Sequence, residues 1–152
     1  MSYVDKILEP GETVVLRASV SWTIYAPAIL FAVCAVLVYA LGSRLPGHEF
    51  QVDFVAAVLA LAAIAVFLPR WFRRWTTEIA VTDRRVIMKR GFIKRHTVEM
   101  NMQKVESVDV DQSLIGRIFD YGDVTVRGTG SSLETLRNID APLKLRSTVT
   151  AG

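Results

Sequence analysis

Two hydrophobic runs, joined by a short loop and closed by a basic-aromatic cluster, constrain this chain more than any other feature. Trp22 to Leu41 reads WTIYAPAILFAVCAVLVYAL, twenty residues without a charge. At ~1.5 Å rise per residue such a helix is roughly 30 Å long, the thickness of a bilayer's hydrocarbon core. It carries nine Ile, Leu, Val or Phe residues, which sum to roughly −3 to −5 kcal/mol on an insertion scale. Pro27 falls in the first turns, where a missing N–H costs little. The second run, Phe54 to Leu68, is shorter. Extended from Val52 to Phe72 it reaches bilayer length, with Asp53 at one boundary and Arg70 at the other. Trp71 and Trp75 suit an aromatic belt, and long arginines reach headgroups by snorkelling. The pattern predicts a transmembrane hairpin over residues 22–72, with spans 22–41 and 52–72 and a loop at 42–51.

Orientation follows from the flanking charges. The segment Gly42 to Asp53 has one base, Arg44, against Glu49 and Asp53. On the other side stand Lys6, Arg17, Arg70, Arg73 and Arg74. Positive residues favour the cytoplasm, so both termini are expected there, in a multi-pass protein of the inner membrane. The first twenty-one residues are too polar for a cleavable signal, and the first apolar run is long enough to stay as an anchor. The single cysteine, Cys34, lies mid-span, which leaves no disulfide framework and no zinc or redox pair.

About 80 residues remain beyond Phe72, enough for one small domain over residues 73–152. They read as β structure. Strands are expected at Thr76–Val81, Arg84–Lys89, Arg95–Met102, Val105–Asp111, Asp123–Arg127 and Glu134–Ile139. Turns fall at Thr82-Asp83, Arg90-Gly91, Asp120–Asp123 and Gly128–Ser132. Val98, Met100 and Met102 alternate with Glu99, Asn101 and Gln103, as Val108 and Val110 do with Asp109 and Asp111. Period-two alternation marks an antiparallel sheet with one face solvated. Ser113–Phe119 instead has helical spacing, with Leu114, Ile115, Ile118 and Phe119 on one side. A short helix is expected after Pro142, fraying over Thr148–Gly152. Pro10-Gly11-Glu12 reads as a turn before an extended segment, Thr13–Val20, in which Val14, Leu16, Ala18 and Val20 share a face. Because the hairpin returns the chain to the side it left, residues 1–21 are expected to lend that strand to the domain. An isolated strand would leave its backbone groups unpaired.

These pieces resemble a known family. A Pro-Gly-Glu turn, a strand, a Trp-led pair of apolar helices and a basic-aromatic exit lead into TTEIAVTDRRVIMKRGFIKRHTVEM and then VESVDVDQSLIGRIFDYGDVTVRGTG. The whole is similar to bacterial pleckstrin-homology-like (PH-like) domains of the membrane-anchored type. The resemblance implies a membrane α+β fold: the hairpin plus a bent antiparallel barrel or sandwich of about seven strands, capped by a C-terminal helix that is short here.

Chemistry is sparse. His48 and His96 are not spaced as metal ligands. Gly128-Thr129-Gly130 lacks the lysine of a phosphate loop, and no nucleophile elbow or Cys–His pattern occurs. Glu106, Asp109 and Asp111 fit a solvated strand face better than a catalytic pair. No enzyme and no cofactor is expected.

Charge is the remaining signal. From Arg70 onward there are fifteen Lys/Arg against ten Asp/Glu. Arg84, Arg85, Lys89, Arg90, Lys94 and Arg95 fall within twelve residues that hold no acid. Each base near an anionic leaflet is worth on the order of 1 kcal/mol, which makes Arg73, Arg74, Lys89, Arg90, Lys94 and Arg95 candidate lipid-headgroup residues. The competing reading is an ordinary strand pair whose bases protect a sheet edge. Glu99–Asp123 is opposite in sign, with six acids and two bases, so the domain is an electrical dipole. The expected function is a non-catalytic binding or scaffolding module at the membrane surface, with the phospholipid bilayer as partner and no role for nucleic acid. The alternative is an oligomerisation or accessory subunit, contacting a second copy or another membrane protein through a sheet edge or through Leu114, Ile115, Ile118 and Phe119.

Overall fold

The computed structural model describes residues 3–44, 46–91, 96–129 and 133–151. The chain divides into two compact units: Met1–Thr23 with Arg73–Gly152, and Ile24–Phe72.

The first unit is built on seven strands in two antiparallel sheets. One sheet has the order β1 (Val14–Ala18), β2 (Glu78–Thr82), β3 (Arg85–Arg90), β4 (His96–Asn101); the other is β5 (Val105–Asp111), β6 (Tyr121–Gly128), β7 (Leu133–Asp140). Strand β1 comes before the apolar runs in sequence yet pairs with β2, which follows them. At one corner the sheets are joined by a bridge between Val20 and Ile139, with Ser21 N–H donating to Asn138 O (2.7 Å) and Asp140 N–H to Ser19 O (3.0 Å). At the other, a single 3-10 turn, Met102–Lys104, carries β4 into β5, capped by the Asn101 carboxamide accepting from Gln103 N–H.

A helix that the sequence analysis did not anticipate, α1 (Tyr3–Ile7), explains why β2 and β3 depart from one-sided alternation. Four consecutive β2 residues, Ile79 to Thr82, are buried, as are Val86, Ile87 and Met88 of β3. Val4 of α1 packs on Ala80 and Ile87, with Ile7, Leu8 and Val14 around them. The face expected to be wet is therefore covered by the chain's own N-terminus. The expected shared face of β1 is also broken. Val14 lies opposite Thr82 but Leu16 lies opposite Val81, a bulge that advances β1 by two residues against one. Neighbours on β2 point to opposite faces, so Val14 turns to α1 and Leu16 to the other side.

The C-terminal helix, α5 (Pro142–Ala151), does not fray from Thr148: it continues to Ala151, and Val149 is buried with Leu145. It packs on β5 and β6 of one sheet and β1 and β2 of the other. The turn expected at Asp120–Asp123 is tighter. Asp120 alone holds a left-handed backbone (φ 49°), and β6 begins at Tyr121. Gly122 permits this, since a Cβ there would stand 2.6 Å from Asp111 O across the pair. Similarly, Met102 leaves the strand for the 3-10 turn, and Gly130–Ser132 lie outside the described residues.

The second unit is a helical hairpin. A 3-10 turn, Trp22–Tyr25, leads into α2 (Ala26–Gly42), with Pro27 in its first turn. The returning helix, α3, runs Glu49–Thr76. It starts three residues before the expected Val52, and it ends beyond Phe72 because the basic-aromatic cluster holds no residue that breaks a helix after Pro69. Thr76, expected to open a strand, instead closes this helix: the Thr76 and Thr77 hydroxyls donate to Arg73 O at 3.4 and 2.7 Å. Within α3, Pro69 lacks the N–H that would reach Ala65 O, and the helix continues through it. One turn of neighbouring backbone gains a further donor, Arg70 Nη1 to Val66 O (2.9 Å).

Contacts at both ends define the hairpin. Near one, the Tyr25 and Phe67 rings lie 5.0 Å apart. At the other, Gly42 meets Val52. The buried residues of α2 are Ala28, Ala35 and Gly42, seven apart, the spacing that keeps one stripe against a helix crossing at a shallow angle. A Cβ at Gly42 would lie 2.5 and 2.6 Å from the two Val52 methyls, and a β-branched side chain has few rotamers to escape into. Gly42→Ala is expected to lower the thermal unfolding midpoint in mild detergent, although alanine by itself favours a helix by about 1 kcal/mol. The clash, worth about 1–3 kcal/mol, outweighs that gain. Val52→Ala in the same chain should restore most of the loss.

Candidate functional site

The bases singled out in the sequence do not share one surface. Along β3 they alternate. Lys89 points to the α1 side, its Nζ 3.2 Å from Glu78 Oε1 and 4.8 Å from the centre of the Tyr3 ring. Arg90 points the other way and donates to Thr135 O of β7. Arg73, at the end of α3, donates to Arg137 O of the same strand (3.2 Å). The two guanidinium groups thus sit along 135–137 of β7, while Ser19–Ser21 cover 138–140. The parity of β7 changes at Asn138, which is left-handed (φ 58°) and donates its N–H to Asp123 Oδ1. The edge of β7 is thereby capped by two cations. Arg74 is half-buried near the same helix end; Lys94 and Arg95 lie outside the described residues.

Arg84 and Arg85 are tied to the N-terminal arm. Arg84 lies 3.3 Å from Glu9. Arg85 makes a two-pronged pair with Glu12, Nε to Oε1 at 3.0 Å and Nη2 to Oε2 at 2.8 Å, while Nη1 reaches Glu99 at 2.9 Å. Its remaining reach goes to Ile7 O (3.0 Å). Glu12 also accepts from the Thr82 hydroxyl (2.7 Å) and from Glu9 N–H (2.9 Å). Asp83 accepts from Thr13 N–H (3.0 Å). The Pro-Gly-Glu and Thr-Asp-Arg-Arg stretches are therefore the two halves of one clasp. Neither half announces its partner in the sequence, where they stand seventy residues apart.

The four apolar residues of the 113–119 segment come together as expected, but on the outside. In α4 (Leu114–Ile118), Leu114 and Ile118 are 78% and 77% exposed, and Ile115 and Phe119 are exposed as well. The helix is held firmly from its other side. Ser113 Oγ caps Gly116 N–H (3.0 Å), and the Gln112 carboxamide donates to Tyr121 O (3.2 Å). Gly116 is buried so tightly that a Cβ would stand 2.6 Å from Tyr121 O. Phe119 meets Trp22 edge to face, ring centres 5.8 Å apart. A cavity of about 520 Å³ opens beside this helix, lined by Asp111, Gln112, Arg117 and Asp120 among others.

The other sequence candidates stay apart. His48 is exposed, with a ring nitrogen 3.3 Å from Pro46 O; His96 is exposed, 3.4 Å from Glu134. Asp109 pairs with Arg127 at 3.1 Å. Among the described residues no group of three His, Cys, Asp or Glu side chains converges as a metal site.

Residues 16–151 match the bacterial PH domain. The chain belongs to that family. No curated protein and no solved structure matches the sequence. PH domains are in general binding modules without catalysis, and the seven-stranded unit fits their fold.

In this PH domain the clasp sets a pH dependence. The Arg85 guanidinium, with help from Glu9 N–H and the Thr82 hydroxyl, lowers the Glu12 carboxyl from 4.5 to about 2, against the opposing cost of burial. A depressed carboxyl stabilises the fold fully above the unfolded value and loses that contribution as the pH falls through the folded one. The window is therefore between about 4.5 and about 2. Glu12→Gln is expected to cost about 2–3 kcal/mol at neutral pH, below the ~3–5 of a fully buried pair because Glu99 still serves Arg85. Chemical denaturation between pH 7 and pH 3 should show a shallower acid slope for the variant than for the wild type.

Proposed function

We propose that this chain is a PH domain held at the cytoplasmic face of a bacterial inner membrane by its own two-helix anchor, and that it acts there as a non-catalytic binding or scaffolding module. The observation that carries this reading is the uncovered surface of the hairpin. Trp22–Gly42 and Glu49–Thr76 are each long and apolar enough to cross a bilayer. Their large side chains face outward: Leu30, Val36, Leu41, Phe54, Leu61 and Ile64 are all exposed. The core helix of a soluble protein would bury those groups. Apart from Ile24 in the entry turn and Thr76 at the exit, the buried residues described in these two segments are small, Ala28, Ala35, Gly42 and Ala63, the distribution of a helix pair whose solvent is lipid.

Charge supports the orientation. Arg70, Arg73 and Arg74 close the second helix, whereas the connecting segment holds Arg44 against Glu49 and Asp53. With the connection outside, the PH unit stands on the anionic leaflet. Arg73 and Arg90 at the β7 edge, with Arg74, Lys94 and Arg95, are then the bases assigned to headgroups. Lys89 serves chiefly to hold Glu78 and Tyr3. The exposure of α4 favours a second surface contact.

The topology is tested at Ser43, exposed just past α2. In a Cys34→Ala background, Ser43→Cys is expected to react with an impermeant maleimide added to intact cells. A cysteine at exposed Thr150 should react only after lysis. The reverse pattern would reject the orientation, and labelling of both sites in intact cells would reject the anchor's sidedness altogether.

A further inference from the structure

We infer that α4 is a second, shallow membrane contact: Leu114, Ile115, Ile118 and Phe119 insert into the interfacial layer of the same bilayer that the hairpin crosses. This rests on the membrane reading above and adds to it a defined lipid-facing surface on the PH unit.

Three observations point to lipid as the occupant. First, the patch touches the residue from which the chain enters its first apolar run. Trp22, the first residue of the first candidate span, touches Phe119 edge to face at 5.8 Å. Trp rings settle at headgroup depth, which places Phe119 at that depth too. Second, the apolar side chains are presented rather than loose. The Ser113 cap, the Gln112 hydrogen bond to Tyr121 O and the tight seat of Gly116 fix the backbone of α4 from behind. A short segment with four large apolar groups outward, three in the helix and Phe119 at its end, would otherwise fold them under, since burying each is worth about 1.5–3 kcal/mol. Third, the segment carries little charge: within Ser113–Phe119 the single charged residue is Arg117, which lines a cavity with Asp111 and Asp120. A ridge of Leu, Ile and Phe beside a Trp, with an arginine behind it, matches the interfacial amphipathic pattern. A protein partner would also accept an apolar ridge, but the contact with Trp22, an aromatic-belt residue in the membrane reading, favours lipid.

The test uses the full chain reconstituted in liposomes of mixed zwitterionic and anionic lipid. A nitroxide label is placed at Ile118→Cys, Leu61→Cys or Val15→Cys in a Cys34→Ala background, and relaxation by oxygen is compared with relaxation by a water-soluble nickel chelate. Leu61 reports the hairpin and Val15 an exposed strand residue of the PH unit. The expected result is a lipid-type oxygen-to-nickel ratio at Leu61, a water-type ratio at Val15, and at Ile118 a ratio several-fold above that at Val15. A water-type ratio at Ile118 with lipid-type at Leu61 overturns this inference alone. Low accessibility to both reagents at Ile118 overturns it in favour of a protein contact. A water-type ratio at Leu61 removes the membrane reading itself.

Discussion

The Glu12–Arg85 pair is the interaction on which the PH unit depends. A two-helix insertion separates β1 from every other strand of its sheet, so the chain must hold a short N-terminal arm against a domain formed far downstream. Backbone pairing between β1 and β2 spans only a few residues and is interrupted by a bulge, a weak tie against the entropy of closing so long a loop. A two-pronged guanidinium–carboxylate contact adds direction and strength, because planar Arg matches both oxygens at once. The Thr82 hydroxyl and Glu9 N–H occupy the lone pairs that Arg85 leaves on Glu12, so the buried carboxylate is satisfied at every side. That satisfaction is what makes the pair stabilising rather than a desolvation burden.

The clasp also positions α1. Arg85 reaches Ile7 O at the helix's end, and Glu78 accepts from Tyr3 N–H at its start (2.9 Å). Between these two anchors Val4 drops onto Ala80 and Ile87. Val4, Ile7 and Leu8 have helical spacing, but a five-residue helix is too short to be read from periodicity alone, and its partner face lies on strands far downstream. Alternation therefore located β4, β5 and β6, strands that keep a more open face. In β2 and β3, read only as β-prone runs, α1 covers what would be the wet face and consecutive residues are buried. Hydrophobic pattern reports what a segment is able to bury; it does not report how many layers arrive to bury it.

The basic run illustrates a related limit. Six bases in twelve residues read as one positive surface, yet a strand sends alternate side chains to opposite faces. Arg85 and Lys89 go to the α1 side and meet Glu12, Glu99 and Glu78; Arg90 goes to the β7 edge. The acids that neutralise the first pair lie outside the run, so a local charge count overstated the free charge. Arg73 was legible as one of the bases that follow the second apolar run. Its meeting with Arg90 along one strand edge was not, because it depends on α3 ending at Thr76 and on the change of parity at Asn138.

The same reasoning bears on α4 from the other direction. Leu114, Ile115, Ile118 and Phe119 have the spacing of a helix face, and such a face in a small domain ordinarily goes inward. Here the inward side is Gly116, whose missing Cβ lets the helix backbone press against Tyr121 O. If the apolar face packed inward, Leu and Ile would replace that backbone contact and push α4 away from β6, losing the Gln112 and Ser113 hydrogen bonds that fix its ends. The closer seat is obtained by turning the large side chains out. Sequence periodicity identifies the apolar face; the glycine on the opposite side decides that this face is turned outward.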